Sequence, residues 1–157
     1  ILFDLDNTLI SYYEDEPNDK LIELGNRLLS IGFKVFVLSN NKGNRIMKFM
    51  SKFPATGAGY LMKKPFKSKI IKFLNWNGIH SFEEIIMIGD QLVTDVLCAN
   101  NVGVDSILVK SISRESEKFY TVINRLREPL IIKRFAKHNK EYANQILEII
   151  KKEKKHG

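Results

Sequence analysis

The chain alternates between short apolar runs that stop abruptly on polar residues and longer segments whose apolar residues recur at helical spacing. Residues 1–3 run into Asp4, Asp6 and Thr8, residues 34–38 into Ser39, Asn40 and Asn41, residues 60–62 into Lys63, Lys64 and Pro65, and residues 85–88 into Gly89 and Asp90; residues 106–109 make a fifth run. Short unbroken apolar runs are the mark of strands covered on both faces. Between them the spacing predicts helices over 19–31, 43–52, 67–76 and 94–100. The first is opened by Pro17 and Asn18, closed by Gly32, and carries Leu21, Leu24, Leu28 and Ile31 on one face. The third turns Ile70, Ile71, Phe73 and Leu74 inward, and residues 54–59, rich in Pro and Gly, read as a connector. Strands alternating with helices through short loops predict an α/β fold, a Rossmann-like parallel sheet with helices on both faces and right-handed crossovers. In such sheets ligands bind outside the carboxyl ends of the strands, where four of these runs deliver their polar tips.

Those tips carry complementary chemistry. Asp4 and Asp6, one residue apart, would be costly to bury without a cation, and an oxygen-seeking metal such as Mg²⁺ is their natural partner. Asp90 adds a carboxylate, Ser39 a hydroxyl beside backbone amides, and Lys64 a cation. A phosphate monoester beside Mg²⁺ needs this set: a metal held by carboxylates, donors around the phosphoryl oxygens, and a nucleophile in line.

Length and charge refine the picture. The 157 residues fit one domain with one core, and the single Cys98 excludes an internal disulfide framework and a multi-cysteine zinc site. That composition suits a reducing, cytoplasmic compartment. No apolar run approaches a membrane span, and His80, His138 and His156 are scattered without metal spacing. The chain opens at Ile1 almost inside the first strand, so natural sequence is expected upstream, where a targeting signal would be invisible. Residues 1–109 balance twelve Lys and Arg against twelve Asp and Glu, whereas 110–157 hold thirteen against six, so the whole net charge of +7 sits at the C-terminal end.

Taken together, Asp4-Leu5-Asp6-Asn7-Thr8, Ser39-Asn40, Lys64-Pro65 and Gly89-Asp90 with Asp95 resemble motifs I to IV of the haloacid dehalogenase (HAD) superfamily of phosphatases, in order and at strand ends. Ser39-Asn40-Asn41, Gly89-Asp90-Gln91 through Thr94-Asp95-Val96, and the later Ile123-Asn124-Arg125 with Glu128 are similar to subclass IIIA, the branch containing bacterial and mitochondrial phosphatidylglycerophosphatases. The resemblance runs to about Ile132 and implies a phosphatase domain over 1–135 followed by a basic amphipathic tail over 136–157.

The resemblance also assigns roles. Asp4 is implied as the nucleophile that forms an aspartyl phosphate, and Asp6 as the acid that protonates the leaving group and the base that then activates water. Ser39, the N–H groups around Asn40, and Lys64 are implied phosphate ligands; Lys63 competes for the cationic role, and the family's Lys-Pro step favours Lys64. Mg²⁺ is implied between Asp4, the Asp6 backbone carbonyl and Asp90. Thr8 is implied to hold the loop, and Asp95 to bind the metal through water or to orient Lys64, with a helix N-terminal charge as the alternative. Ser39 capping the next helix is likewise left open. Asn124 and Arg125, well past the last motif, read as structural.

The intervals between motifs leave no room for the cap domain with which relatives enclose small substrates. An open site fits an exposed phosphate: a lipid head group, a phosphoprotein or a nucleic-acid end. The subclass favours the lipid, phosphatidylglycerophosphate, met at an anionic membrane surface; no specific nucleic acid is expected, and the protein is placed in the cytoplasm with a peripheral position on the inner face of a membrane open. Leu130, Ile131, Ile132, Phe135, Ile146, Leu147, Ile149 and Ile150, interleaved with Lys133, Arg134, Lys137, Lys151, Lys152, Lys154 and Lys155, form a tail that would lie on anionic lipid or pack its apolar face on the domain. A non-catalytic module that binds metal and phosphoryl groups is the alternative from another class.

Overall fold

The structure is a computed structural model that describes residues 1–113 and 119–151. Five strands, β1 (Leu2–Asp4), β2 (Phe36–Leu38), β3 (Gly57–Gly59), β4 (Ile86–Gly89) and β5 (Asp105–Leu108), form one sheet in the order β3-β2-β1-β4-β5, and all neighbours are parallel. The helices between them are α1 (Asp19–Ser30), α2 (Gly43–Met50), α3 (Lys67–Trp76) and α4 (Leu97–Val102), the last preceded by a π-helical turn at Leu92–Val96. Two further helices, α5 (Phe119–Phe135) and α6 (Lys140–Lys151), follow β5. The expected parallel α/β fold is the observed one.

Strand alternation divides the core. Leu2, Phe36, Leu38 and Met87 face α3 and α4, where they meet Ile70, Leu74, Cys98 and Ala99. Phe3, Val35 and Val37 face the other way, onto Ile46, Phe49 and Phe53 with Leu21, Leu28 and Leu29 of α1. The chain builds β2 and β3 on one side of β1 and then crosses to place β4 on the other. The tips of β1 and β4 therefore flank the point where strand order reverses, which is where a crevice opens.

Three expectations are corrected. The third strand is not residues 60–62 but Gly57-Ala58-Gly59, inside the segment read as a connector. Small residues are needed there because neighbours fill the side-chain space: a Cβ on Gly59 would lie 2.7 Å from the Met62 sulfur and 3.1 Å from Leu38. Tyr60–Met62 instead forms a turn, with Leu61 and Lys63 at positive φ. On α1 the packed face is Leu21, Gly25, Leu28 and Leu29, and Leu24 and Ile31 are exposed, because Gly25 lets the helix touch the Pro54 backbone. The helix expected over 94–100 begins with the π-helical turn at Leu92, where the N–H groups of Asp95 and Val96 both donate to the Gln91 carbonyl.

The C-terminal helices cover the end of the sheet beside β5. Leu92, Ile132 and Ala143 form a small cluster with Val96, Leu108, Ala136, Ile146, Leu147 and Ile150, so the apolar face of α6 packs on the domain. Of the tail residues, Ile132, Ile146, Leu147 and Ile150 pack on the domain, whereas Leu130, Ile131 and Phe135 are exposed. Lys152, Lys154 and Lys155 lie outside the described residues. Among the described residues, no helix is long and apolar enough to cross a membrane.

Candidate active site

Asp4 is the last residue of β1, Ser39 follows β2, Lys64 follows the turn after β3, and Asp90 follows β4. Parallel register, with Asp4 opposite Leu38 and Phe3 opposite Ile88, brings these ends level. All four side chains are buried.

Lys64 is the hub. Its Nζ lies 2.5 Å from Asp4 Oδ1 and 2.6 Å from Asp95 Oδ1. Burial alone would lower its pKa, but the two carboxylates outweigh it and hold the ammonium well above its usual range. Lys64, not Lys63, is thus the buried lysine of the site; Lys63 is exposed. Asp95 also accepts the Gln91 N–H at 3.2 Å, so it is tied both to Lys64 and to the start of the π-helical turn.

Asp4 and Asp90 converge on Thr8. The Thr8 hydroxyl sits 3.3 Å from Asp4 Oδ2 and 3.3 Å from Asp90 Oδ1, yet has one hydrogen to give. The other oxygen of Asp90 is held by Arg125 at 2.5 Å, and Arg125 also donates to the Asp90 carbonyl and to Ser111. Burial, with the nearby Asp95 charge, pushes Asp90 up to about 6 despite Arg125. Burial pushes Asp4 well above the usual carboxylate range, Lys64 opposes the rise, and Asp95 and Asp90 add to it. Arg125 therefore does more than the structural role expected of it: it reaches back from α5 to a site carboxylate. Glu128, one turn on, accepts the Leu92 N–H at 3.1 Å and fixes the start of the π-helical turn.

Carboxylate oxygens of Asp4, Asp90 and Asp95 lie within 4.8 Å of one another, all buried. Three carboxylates against the cations of Lys64 and Arg125 leave the cluster one positive charge short. Hard oxygen donors sharing a single hydroxyl hydrogen fit a small divalent cation between Asp4 and Asp90. With Mg²⁺ present the cluster would carry about one net positive charge, which suits a phosphate dianion. The carboxylate of Asp6 is not in this cluster; as a metal ligand only its backbone carbonyl remains, as the motif implies.

Asp6 is turned toward β2 and α2. Its Oδ2 accepts from Ser39 Oγ at 3.0 Å and Asn41 Nδ2 at 2.7 Å, and its Oδ1 accepts from Arg45 Nε at 2.8 Å. Ser39 Oγ in turn accepts the Asn41 N–H, the pattern of a hydroxyl closing the turn into α2. The Asn40 side chain pairs twice with the Lys64 backbone, at 2.7 and 3.0 Å, and so fixes the loop that carries the hub lysine. Its backbone N–H is what is left for a phosphoryl oxygen. Arg45 was not foreseen from the sequence; it lies in the first turn of α2, past the strand tip, where the sequence pattern gave no reason to look.

A shallow cleft of about 20 Å³ opens over Asp4 and Lys64, walled by Tyr12, Gln91 and Thr121. Gln91 Oε1 is buried and has no hydrogen-bond partner among the described residues. A larger cavity of about 610 Å³, lined by Ile1, Phe33, Leu74 and Ile79, lies at the opposite, amino-terminal ends of the strands and contains none of these groups. Chemistry, not size, locates the site.

Comparison with known proteins agrees with this geometry. Residues 61–127 match the model of the HAD-hydrolase-like family. The chain is similar to Probable phosphatase YqeG of Bacillus subtilis (strain 168), with 34% identity over 132 residues covering 84% of this chain and 75% of that protein. Among solved structures it is similar to an uncharacterized protein from Listeria monocytogenes serotype 4b, at TM-score 0.58 and 18% identity over 74% of this chain and 83% of that one. It is also similar to the D,D-heptose 1.7-bisphosphate phosphatase of B. bronchiseptica, solved with magnesium and phosphate, at TM-score 0.50 and 13% identity over 82% of this chain and 98% of that one. The chain belongs to the HAD-like hydrolases, and its class is that of the HAD-type phosphatases.

Proposed function

We propose that the protein is a capless, Mg²⁺-dependent phosphomonoesterase acting through a phosphoryl group on Asp4, with phosphatidylglycerophosphate as the substrate. The observation that carries the mechanism is Asp4 at the tip of β1, bracketed by the Lys64 ammonium, with Asp6 two residues on. An Asp4 carboxylate oxygen attacks phosphorus, the ester P–O bond breaks, and its electron pair leaves on the departing oxygen, which takes a proton from Asp6. Asp6 then accepts a proton from the water that attacks the aspartyl phosphate, releasing inorganic phosphate and restoring Asp4. Lys64, Ser39 and the N–H groups around Asn40 hold the phosphoryl oxygens. Asp4, Asp90 and the Asp6 carbonyl would hold Mg²⁺, which would supply charge neutralisation between the carboxylate nucleophile and the phosphate.

The lipid reading is supported by two features. Among the described residues, only α1 and β2 lie between the first and second motifs and only α2 between the second and third strands, so neither interval carries an inserted cap domain. And α5, whose Thr121 walls the cleft, turns an apolar stripe outward: Leu126 and Leu130 are 71% and 70% exposed, and Val122 and Ile131 are exposed beside the exposed Arg127, Lys133 and Arg134. An apolar stripe rimmed by cations suits an anionic bilayer surface.

The test is phosphate release from phosphatidylglycerophosphate in mixed micelles, beside a soluble phosphopeptide and a 5′-phosphorylated oligonucleotide, for wild type, Asp4→Asn and Asp6→Asn. Turnover of the lipid alone, lost in both variants, is the expected result. Turnover of another substrate alone would keep the mechanism and discard the lipid. Mg²⁺ binding without any turnover would favour the non-catalytic module.

A further inference from the structure

Arg45 is held from two directions. Its Nη1 donates to the Tyr12 carbonyl at 3.1 Å and to Asp15 Oδ1 at 2.9 Å, its Nη2 donates to the Ser11 carbonyl at 2.5 Å, and its guanidinium carbon lies 5.6 Å from the centre of the Tyr12 ring. The loop after β1 thus fixes the plane of the guanidinium, and Lys48 and Lys52, on the same side of the helix region, pin that loop further through Asp15 and Glu16. Of the two hydrogens these bonds leave over, the Nε–H is aimed at Asp6 Oδ1. A planar fork fixed by three acceptors sets the position of the fourth, which a flexible ammonium cannot do.

The other oxygen of Asp6 takes the single Ser39 hydrogen and an Asn41 amide hydrogen. A phosphoryl group gripped by Ser39 must take that hydrogen away from Asp6. Substrate binding therefore removes one of the three tethers and leaves Arg45 as the charged one.

We propose that Arg45 is the positioning residue of Asp6: it seats the acid–base carboxylate away from the metal cluster, and it defines the arc through which that carboxylate reaches the leaving oxygen once Ser39 has turned to the phosphoryl group. The proposal rests on the reading of Asp6 as acid and base. Its chemistry is the transfer of a proton from Asp6 to the ester oxygen as the P–O bond breaks and the electron pair passes to that oxygen. Arg45 itself touches neither substrate nor metal.

The experiment compares an alkyl phosphate, whose leaving alkoxide needs a proton, with 2,4-dinitrophenyl phosphate, whose leaving group does not, in the Mg²⁺-loaded full chain. Because kcat/KM reports events up to departure of the leaving group, Arg45→Met is expected to lose about 100-fold in kcat/KM on the alkyl ester and less than about tenfold on the dinitrophenyl ester, within the range of general acid catalysis. Asp6→Asn should show the same contrast, and adding Arg45→Met to it should cost little more on the alkyl ester, since the two act as one unit. Asp15→Asn, which removes a loop contact and leaves the Asp6 contact, should stay within about threefold on both esters. If Arg45→Met does not fold, Arg45→Lys, which keeps the charge and loses the fork, must show the same leaving-group contrast. An equal fall on both esters, or losses that simply add to those of Asp6→Asn, would make Arg45 a loop staple and overturn the proposal. Absence of the contrast in Asp6→Asn itself would instead bring down the acid–base reading on which it rests.

Discussion

The carboxyl group of Asp95 occupies the space in which a side chain on Gly89 would begin. A Cβ built on Gly89 overlaps the Asp95 carboxyl carbon and an oxygen, so β4 must end in glycine for Asp95 to reach Lys64. Strand end, π-helical turn and hub lysine are in this way one unit: Gly89 makes room, the turn at Leu92–Val96 supplies Asp95, and Asp95 holds the ammonium that faces Asp4.

The first prediction follows from that contact. Gly89→Ala must push Asp95 aside, and overpacking of this kind costs roughly 1–3 kcal/mol. It should also release Lys64 from one of its two partners. We expect a lower urea midpoint together with a loss of at least about tenfold in kcat, read by denaturation and phosphate release on the same preparation. A stable and fully active Gly89→Ala would contradict the placement of Asp95.

Lys64→Met leaves Asp4 and Asp95 buried and unpaired. Removing one member of a buried ion pair typically costs about 3–5 kcal/mol, so the variant should be strongly destabilised without metal. Saturating Mg²⁺ should recover part of the loss, because the cation answers the same charge. Thermal unfolding with EDTA and with Mg²⁺ measures both.

Asp90 gives a pH dependence whose sign can be worked out. Its pKa rises from 3.8 to about 6 on folding, with burial as the leading cause. Between those values the folded state binds more protons than the unfolded one, so stability falls as pH rises through the window and levels off above it. The shift corresponds to an upper figure on the order of 3 kcal/mol. Wild type minus Asp90→Asn, in EDTA at pH 4 and pH 7, isolates this contribution, and the wild type should be relatively weaker at pH 7. Mg²⁺ competes with that proton, so its affinity should drop below about pH 6.

Cys98 packs in the core beside Ala99 and Val102, fully buried, and burial pushes its thiol up to about 11. At pH 8 the thiolate fraction is then about 100-fold below that of an ordinary thiol. Iodoacetamide should leave the native chain unmodified over the time in which it fully alkylates the chain in urea. Rapid native labelling would contradict the packing of α4 on the sheet.

The sequence was most legible where burial forces a pattern. The runs before Asp4, Ser39 and Asp90 are apolar because those strands are covered on both faces, and their polar tips stand out against that background. The third strand was hidden for a related reason: Phe36, Leu38 and Met62 fill the space around it, so Gly57-Ala58-Gly59 has no apolar run of its own. The packed face of α1 was hidden likewise, since the close backbone approach at Gly25 leaves no hydrophobic signature. At the site, residues that end strands could be read, whereas Arg45 and Arg125 act from helices, and only the tertiary fold aims an arginine on a helix at a particular carboxylate.

The central claim is that Asp4 carries the phosphoryl group. The most direct measurement is rapid quenching of Asp6→Asn with a dinitrophenyl phosphate and Mg²⁺, followed by peptide mass spectrometry of the residue modified. This variant should still form the intermediate with so good a leaving group while lacking the base that breaks it down, so a phosphoryl group should accumulate on Asp4. Steady release of phosphate with no phosphoryl group on Asp4, or undiminished turnover by Asp4→Asn, would contradict the account.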